Sequence, residues 1–289
     1  MRTDLSAFRL ERPRTLDEAL ATLASSKERL TLLAGGTDLY VYLNAGLARA
    51  GRWLDIWGLD ELRGIRESGG YIVLGALTTY TDLQASELVC AVLPLLAQAA
   101  ATVGAVAIQN RGTLGGNLVN GSPAGDSLPP LLAYDAELGL RSARGSRWVR
   151  LDGFYTGYRA TVLAPDELVE LIRIPRASAV AVTAGRYVKV GTRAAQAISK
   201  VVAAFALGRS AAGEIAHARV AFGSVAPTPI RLRALENHLL GRKLDDALVR
   251  SSADCLAAEI APIDDIRSTA RYRRFVSKNV WVRFLEECF

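Results

Sequence analysis

Apolar and polar positions change their period several times along the chain, and those changes divide it. Thr15-Leu-Asp-Glu18 is a capping box that opens an amphipathic helix through Leu16, Leu20 and Leu23. Leu30 to Ala34 is an unbroken apolar run, read as a buried strand, and Gly35-Gly36 stops it. Trp53–Ile56 and Tyr71–Leu74 read as further short strands. Pro94 suits the first turn of a helix, which Leu95, Leu96, Ala99, Ala100 and Val103 continue with helical period.

From Gly104 to Pro130 the periodicity disappears into Gly, Asn, Ser and Pro, and the stretch reads as one long loop. A loop of that length inside a compact chain is a functional feature. Strands resume near Ala136–Arg141, Arg147–Arg150 and Leu168–Ile174, ending at Pro175. Pro175 to Gly185 is rich in Ala and Ser and reads as a linker, dividing the chain into residues 1–176 and 177–289. Three strands follow at Tyr187–Val190, Ser199–Leu207 and Ile215–Gly223, then helices from Pro229, from Leu244 and from about Ala270 to the end. Strands followed by helices predict an α+β unit with its helices on one face of a sheet.

Composition narrows the class. Half of the 289 residues are apolar and 22% are charged, which is globular. The net charge of +6, from 35 basic and 29 acidic residues, is spread along the chain and does not point to nucleic acid. Met1 to Pro13 lacks a signal-peptide core, and no apolar run reaches membrane-helix length, so a cytoplasmic location is expected. Cys90, Cys255 and Cys288 are widely spaced, so free buried thiols are expected rather than a metal or cluster site.

Two glycine loops carry the candidate chemistry. Leu32-Leu-Ala-Gly-Gly-Thr-Asp-Leu39 places two glycines after a strand, where successive N–H groups can turn inward around an anion. Thr37 adds a hydroxyl, and the same residues also suit a tight turn that holds nothing. Neither GxGxxG nor GK[ST] follows the strand, which excludes a Rossmann loop and a P-loop. Thr113-Leu-Gly-Gly-Asn117 repeats the hydroxyl and the two glycines, and two such loops can grip a pyrophosphate from opposite sides. Asp126, in Ser122-Pro-Ala-Gly-Asp126, could accept bonds from a ribose or an adenine, or cap a helix starting near Leu128.

With these motifs together, the chain resembles the FAD-binding medium subunits of the molybdenum hydroxylases, the family of xanthine dehydrogenase and carbon monoxide dehydrogenase. The likeness runs through Ile108-Gln-Asn-Arg-Gly-Thr-Leu-Gly-Gly-Asn117, Gly75-Ala-Leu-Thr78, Val225-Ala-Pro-Thr-Pro229 and Asp265-Ile-Arg-Ser-Thr-Ala-Arg-Tyr-Arg-Arg274. It implies an FAD-binding domain of the vanillyl-alcohol-oxidase and p-cresol-methylhydroxylase type, built of two α+β subdomains. A C-terminal domain of antiparallel sheet and helices would follow.

The resemblance assigns Leu32, Ala34, Gly35, Gly36, Thr37, Asp38, Leu39, Ile108, Thr113, Gly115, Gly116 and Asn117 to the cofactor. Val119 and Asp126 would lie towards the adenosine half, and Val169 along the groove. Tyr187 and Lys189 would stand beside the isoalloxazine, the tyrosine covering a ring face and the lysine stabilising a reduced flavin. A strand with one inner aromatic and an exposed lysine is the plainer alternative for that pair. Gly36 stands where flavinylated members of the wider fold carry a histidine, which implies noncovalent FAD. His217 and His238 are then structural or exposed.

Some relatives have acidic residues near the flavin, where this chain reads Arg193-Ala-Ala-Gln-Ala-Ile198; that departure leaves NAD+ or another acceptor open. The resemblance also implies partner chains, a small subunit with [2Fe-2S] clusters and a large subunit with molybdopterin, and no metal on this chain. Arg271, Arg273, Arg274, Lys278 and Arg283 form a basic helical stretch, with Tyr272, Val276 and Phe284 on another face. It reads as solvated charge or as a docking surface for such a partner. A free-standing flavin oxidase and a non-enzymatic phosphate-cradling module are the competing classes.

Overall fold

The structure, a computed structural model, describes residues 5–48 and 51–288. Its first sheet is built by parallel crossovers: β1 (Phe8–Glu11), α1 (Leu16–Ser25), β2 (Thr31–Leu33), α2 (Leu39–Ala45) and β3 (Gly51–Asp55), in the order β1-β3-β2. Leu16, Ala19, Leu20 and Leu23 bury the inner stripe of α1. Thr15 accepts from the Glu18 N–H as a cap should, but the Glu18 carboxylate reaches one residue further back, to the Arg14 N–H. β2 is half-buried rather than buried, because Leu32 and Ala34 face a cavity.

Next come β4 (Ile65–Ser68), β5 (Tyr71–Gly75), α3 (Tyr80–Ala85), α4 (Glu87–Val92), α5 (Pro94–Thr102), α6 (Val106–Gln109), α7 (Leu114–Asn120) and α8 (Leu128–Ala133). Then follow β6 (Glu137–Ser142), β7 (Gly145–Arg150), the short hairpin β8 (Tyr155–Gly157) and β9 (Ala160–Thr161), and β10 (Leu168–Pro175). Five of these strands form an antiparallel sheet in the order β4-β5-β10-β6-β7. Its apolar face, with Ile72, Leu74, Leu138, Leu140 and Ile172, packs into one core with Leu95, Leu96, Leu114 and Leu131.

The long loop expected over Gly104–Pro130 is instead broken by α6, α7 and the start of α8. Capping overrides the poor helix propensity of its glycines. Thr113 Oγ1 accepts from the Gly116 N–H, and Gly121 closes α7 in the left-handed region at φ 59°. The expected linker is partly helical as well, holding α9 (Arg176–Val180) directly after β10, so the expected division between residues 176 and 177 falls inside a helix.

The C-terminal sheet runs β11 (Ala184–Val190), β12 (Val201–Arg209), β13 (Ile215–Gly223) and β14 (Ile230–Arg231), antiparallel and in sequence order. α10 (Arg233–Leu239), α11 (Asp246–Glu259) and α12 (Ala270–Glu286) cover one face; the helix expected to reach the end stops at Glu286, and Phe289 lies outside the described residues. β12 shows why the two units seat closely. Val201, Ala203, Phe205 and Leu207 point to the C-terminal helices, while Ala204 and Ala206 join the core of the first unit against α8. Alternation of large and small side chains with period two lets one strand serve two cores.

A buried ion network closes the same junction. Asp135, in the left-handed region at φ 55°, accepts from Arg219 at 2.9 Å and from Arg231 at 2.8 Å, and Arg231 also makes two 2.6 Å bonds to Glu236. Burial pushes the Asp135 carboxyl up, but the two guanidinium groups outweigh it and hold the carboxyl below its usual range. The three cysteines are free, but Cys90 is exposed and Cys255 and Cys288 are half-buried, so they are not the buried thiols expected. Among the described residues no helix is long and apolar enough to cross a membrane.

Candidate functional site

A cavity of about 1050 Å³ runs from the loop after β2 to the C-terminal unit, and both units wall it. That is the upper end of ordinary ligand pockets, with room for a dinucleotide. Leu32, Ala34, Gly35, Gly36, Thr37, Asp38 and Leu39 form one end of the wall. Among the described residues, the N–H groups of Gly35, Gly36, Thr37, Asp38 and Leu39 bond to no protein acceptor; the first one engaged is that of Tyr40, to Gly36 O at 2.8 Å. A run of free donors beside a cavity has the geometry to cradle an anion. Gly36 turns the chain at φ 76°, which a side chain would strain.

The second loop uses its backbone donors differently. Leu114 N–H bonds Thr78 O, Gly115 N–H bonds Ala76 O, and Gly116 N–H bonds Thr113 Oγ1. These backbone donors are therefore engaged inside the protein, while those of the first loop are not. Gly35 makes the apposition possible: a Cβ there would lie 1.7 Å from Arg111 O, so the two loops touch backbone to backbone. Thr113, Gly115, Gly116, Asn117, Val119, Ile108 and Val169 all line the cavity with the first loop.

Asp126 lines the cavity too, yet it does not cap α8; the cap position is Ser127, whose Oγ makes no capping bond and instead donates to Asn117 Oδ1 at 2.7 Å. Its Oδ2 accepts from Lys189 Nζ at 2.6 Å, while its Oδ1 is buried without a protein partner among the described residues. Burial drives the carboxyl up to about 6, against the pull of Lys189. Lys189 is not in the cavity wall; it sits behind Asp126 and gives a second bond to Thr102 O at 2.8 Å. Tyr187 is not in the wall either. Its ring packs on the first unit's core, its hydroxyl is 3.0 Å from Thr102 Oγ1, and burial pushes its phenol well up. Sequence alone places both residues beside the flavin but cannot say that each is held at Thr102, the last residue of α5, or that Lys189 is spent on Asp126.

Other wall residues were not assigned to the cofactor from the sequence. Arg159 sits at the tip of the β8–β9 hairpin at φ 53°, donates to the Tyr42 hydroxyl, and lines the cavity beside Asp38. Asn120 donates to Asp38, whose carboxyl is pushed up by its protein surroundings against the charge of Arg159. At the far end stand Arg193, Gln196, Ile198, Ser199, Ser224 and Arg273. Arg273 corrects the reading of α12 as a solvated basic face: it is buried at 4% exposure, and Phe284 is buried on the same helix. Neither histidine lines the cavity; His217 is held below its usual range by burial and the nearby Arg219, and His238 is 2.9 Å from Ser251 Oγ.

Unengaged N–H donors, a long groove between two units and a glycine face that leaves it open define a two-unit fold with a nucleotide-sized groove and a sheet-and-helix cap. Residues 6–177 match the model of the FAD binding domain in molybdopterin dehydrogenase, and residues 186–288 match the CO dehydrogenase flavoprotein C-terminal domain. The chain belongs to the family of FAD-binding medium subunits of the molybdenum hydroxylases.

It is similar to the carbon monoxide dehydrogenase medium chain of Hydrogenophaga pseudoflava, 34% identical over 92% of this chain and 91% of that one. The xanthine dehydrogenase FAD-binding subunit of Escherichia coli O157:H7 is 32% identical over 96% and 94%. The glyceraldehyde dehydrogenase medium chain of Sulfolobus acidocaldarius is 33% identical over 97% and 98%. The solved Hydrogenophaga pseudoflava carbon monoxide dehydrogenase superposes with a TM-score of 0.90 at 34% identity, covering 96% of this chain and 95% of that one.

Proposed function

We propose that the chain holds noncovalent FAD in this cavity and relays electrons within a complex. They would enter from [2Fe-2S] clusters of a small partner subunit and leave to NAD+ or another acceptor, while a molybdopterin-bearing large subunit oxidises the substrate. The observation that carries this reading is the run of five unpartnered N–H groups from Gly35 to Leu39 in a cavity walled by both units. In this reading those groups hold the diphosphate, Asn117 and Asp126 orient the nucleotide, and Val119 and Val169 exclude water. Bound FAD supplies the exchange of electrons in ones or twos. No histidine or cysteine stands in the wall to form a covalent link. Three free cysteines are in keeping with assembly in the cytoplasm.

The likeness to a xanthine dehydrogenase subunit supports a purine-type substrate for the whole complex. One observation favours a second reading, a free-standing flavin oxidase: Asp126, titrating near 6 in the cavity wall, is poised as a base. The two readings separate in an assay of the isolated chain with purines, aldehydes and N-heterocycles and a dye acceptor. The relay predicts dye reduction by NADH or an artificial donor at most, with hydroxylation appearing only when small and large subunits are co-expressed. Turnover of an organic substrate by the chain alone would favour the oxidase.

A further inference from the structure

We infer that Arg273 is a positioning residue for the flavin site, holding the Ser122–Asp126 turn in place through the backbone of Ser224. The inference rests on the assignment of Asp126 to the cofactor. Arg273 Nη1 donates to Ser224 O at 2.7 Å and to Lys200 O at 3.1 Å, and Nη2 donates to Asp265 Oδ1 at 2.8 Å. Ser224 in turn donates its N–H to Pro123 O at 2.8 Å, and Ser199 Oγ, 3.2 Å from Ser224 Oγ, donates to Ala124 O. Two residues beyond Ala124 is Asp126, with its unpartnered Oδ1.

Ser224 lies at φ 66°, in the left-handed region that a side chain disfavours. A strained residue persists where its surroundings over-determine it. Here the strain lets one residue face two ways, its N–H toward the turn and its C=O toward Arg273. The arginine is costly where it stands: its side chain is 5% exposed, and its Nε is buried with no partner among the described residues. A helix-anchoring role needs none of this; hydrophobic residues on α12 already bind it to the sheet through Trp281 and Phe284. A lysine could not copy the planar fork that spans two carbonyls and a carboxylate.

The test is FAD titration of the full-length chain, followed by flavin fluorescence and visible absorption, in Arg273→Met, Arg273→Lys, Asp126→Asn and the Met/Asn double variant. Arg273→Met and Asp126→Asn should each weaken FAD binding by about tenfold or more, the size of a lost bond to a charged group. The double variant should bind no worse than the weaker single one, since both act on one turn. Both singles should shift the bound flavin's absorption bands in the same direction, and Arg273→Lys should recover only part. If Arg273→Met does not fold, Asp265→Asn, on an exposed loop, should show the same dependence on Asp126. Fully additive losses, or wild-type affinity in Arg273→Lys and Asp265→Asn, would overturn the relay through Ser224 while leaving the FAD site intact. Wild-type affinity in Asp126→Asn would overturn both.

Discussion

Lys189 Nζ lies 2.6 Å from Asp126 Oδ2, with 8% and 11% of the two side chains exposed, so the lysine serves a carboxylate before it can serve a flavin. Removing one partner of a buried pair leaves the other uncompensated, a loss of about 3–5 kcal/mol. Lys189→Met should therefore destabilise the chain by that order, and more at pH 8 than at pH 5, where Asp126 can take up a proton. Urea unfolding at the two pH values measures it; equal losses at both would show that the pair is not coupled as drawn.

The glycines of the two loops should not be equivalent under mutation. A Cβ on Gly116 meets only Thr113 Oγ1, at 2.8 Å, and larger branches would project into the cavity. Gly116→Val is expected to fold and to lose FAD by at least a hundredfold, an order set by excluding the nucleotide from its wall. Gly35→Ala drives a methyl into Arg111 O and should reduce the folded yield itself. Circular dichroism alongside FAD titration distinguishes the two outcomes, and a well-folded Gly35→Ala with intact FAD binding would contradict the backbone contact.

Asp126 gives the FAD-free chain and the FAD complex opposite responses to pH. Its carboxyl titrates near 6 in the folded chain against an ordinary value of 3.8, so the native state holds the proton more tightly. The stability this contributes is complete below the ordinary value and is lost as pH rises through about 6. A carboxylate that accepts a bond from FAD works the other way, and FAD affinity should climb over the same window. Melting temperature of the apo chain and FAD Kd from about pH 3 to about pH 7, roughly one pH unit beyond 3.8 and 6, test both signs. Asp126→Asn should flatten both curves.

At the junction, Asp135→Ala removes the carboxylate that bridges Arg219 and Arg231, leaving Arg231 to Glu236 alone among its carboxylate partners, and should cost about 3 kcal/mol. Because Arg219 and Arg231 keep that carboxyl below its usual range, the wild-type contribution should fade as pH drops below the ordinary carboxylate value. A urea-unfolding series from pH 7 to about pH 3 reads both effects. A loss under about 1 kcal/mol would make the network a surface-like ornament of the interface.

Much of this was legible in the chain before any coordinates. The apolar run within Ser199–Leu207 marked a strand, and the Thr113 hydroxyl ahead of two glycines marked a site whose residues do line one cavity. What sequence could not show is where each donor and charge is spent. The N–H groups of Leu114 and Gly115 look as free as those of Gly35 and Gly36 until Thr78 O and Ala76 O are found against them. Likewise Arg273 sits among Arg271 and Arg274 in a basic run, and only the approach of Ser224 and Asp265 turns it inward. Both are long-range contacts, invisible to local pattern.

The alanines on one face of β12 also restrict how this chain can change over generations. Ala204 and Ala206 have no exposed surface and press on α8, so the seam between the units has no slack for a larger side chain on either side. A C-terminal half grafted from a distant relative would have to bring small residues at these two positions, or a matching retreat of Leu128, Leu131 and Leu132. The fit of one half to the other is therefore set at a handful of methyl groups.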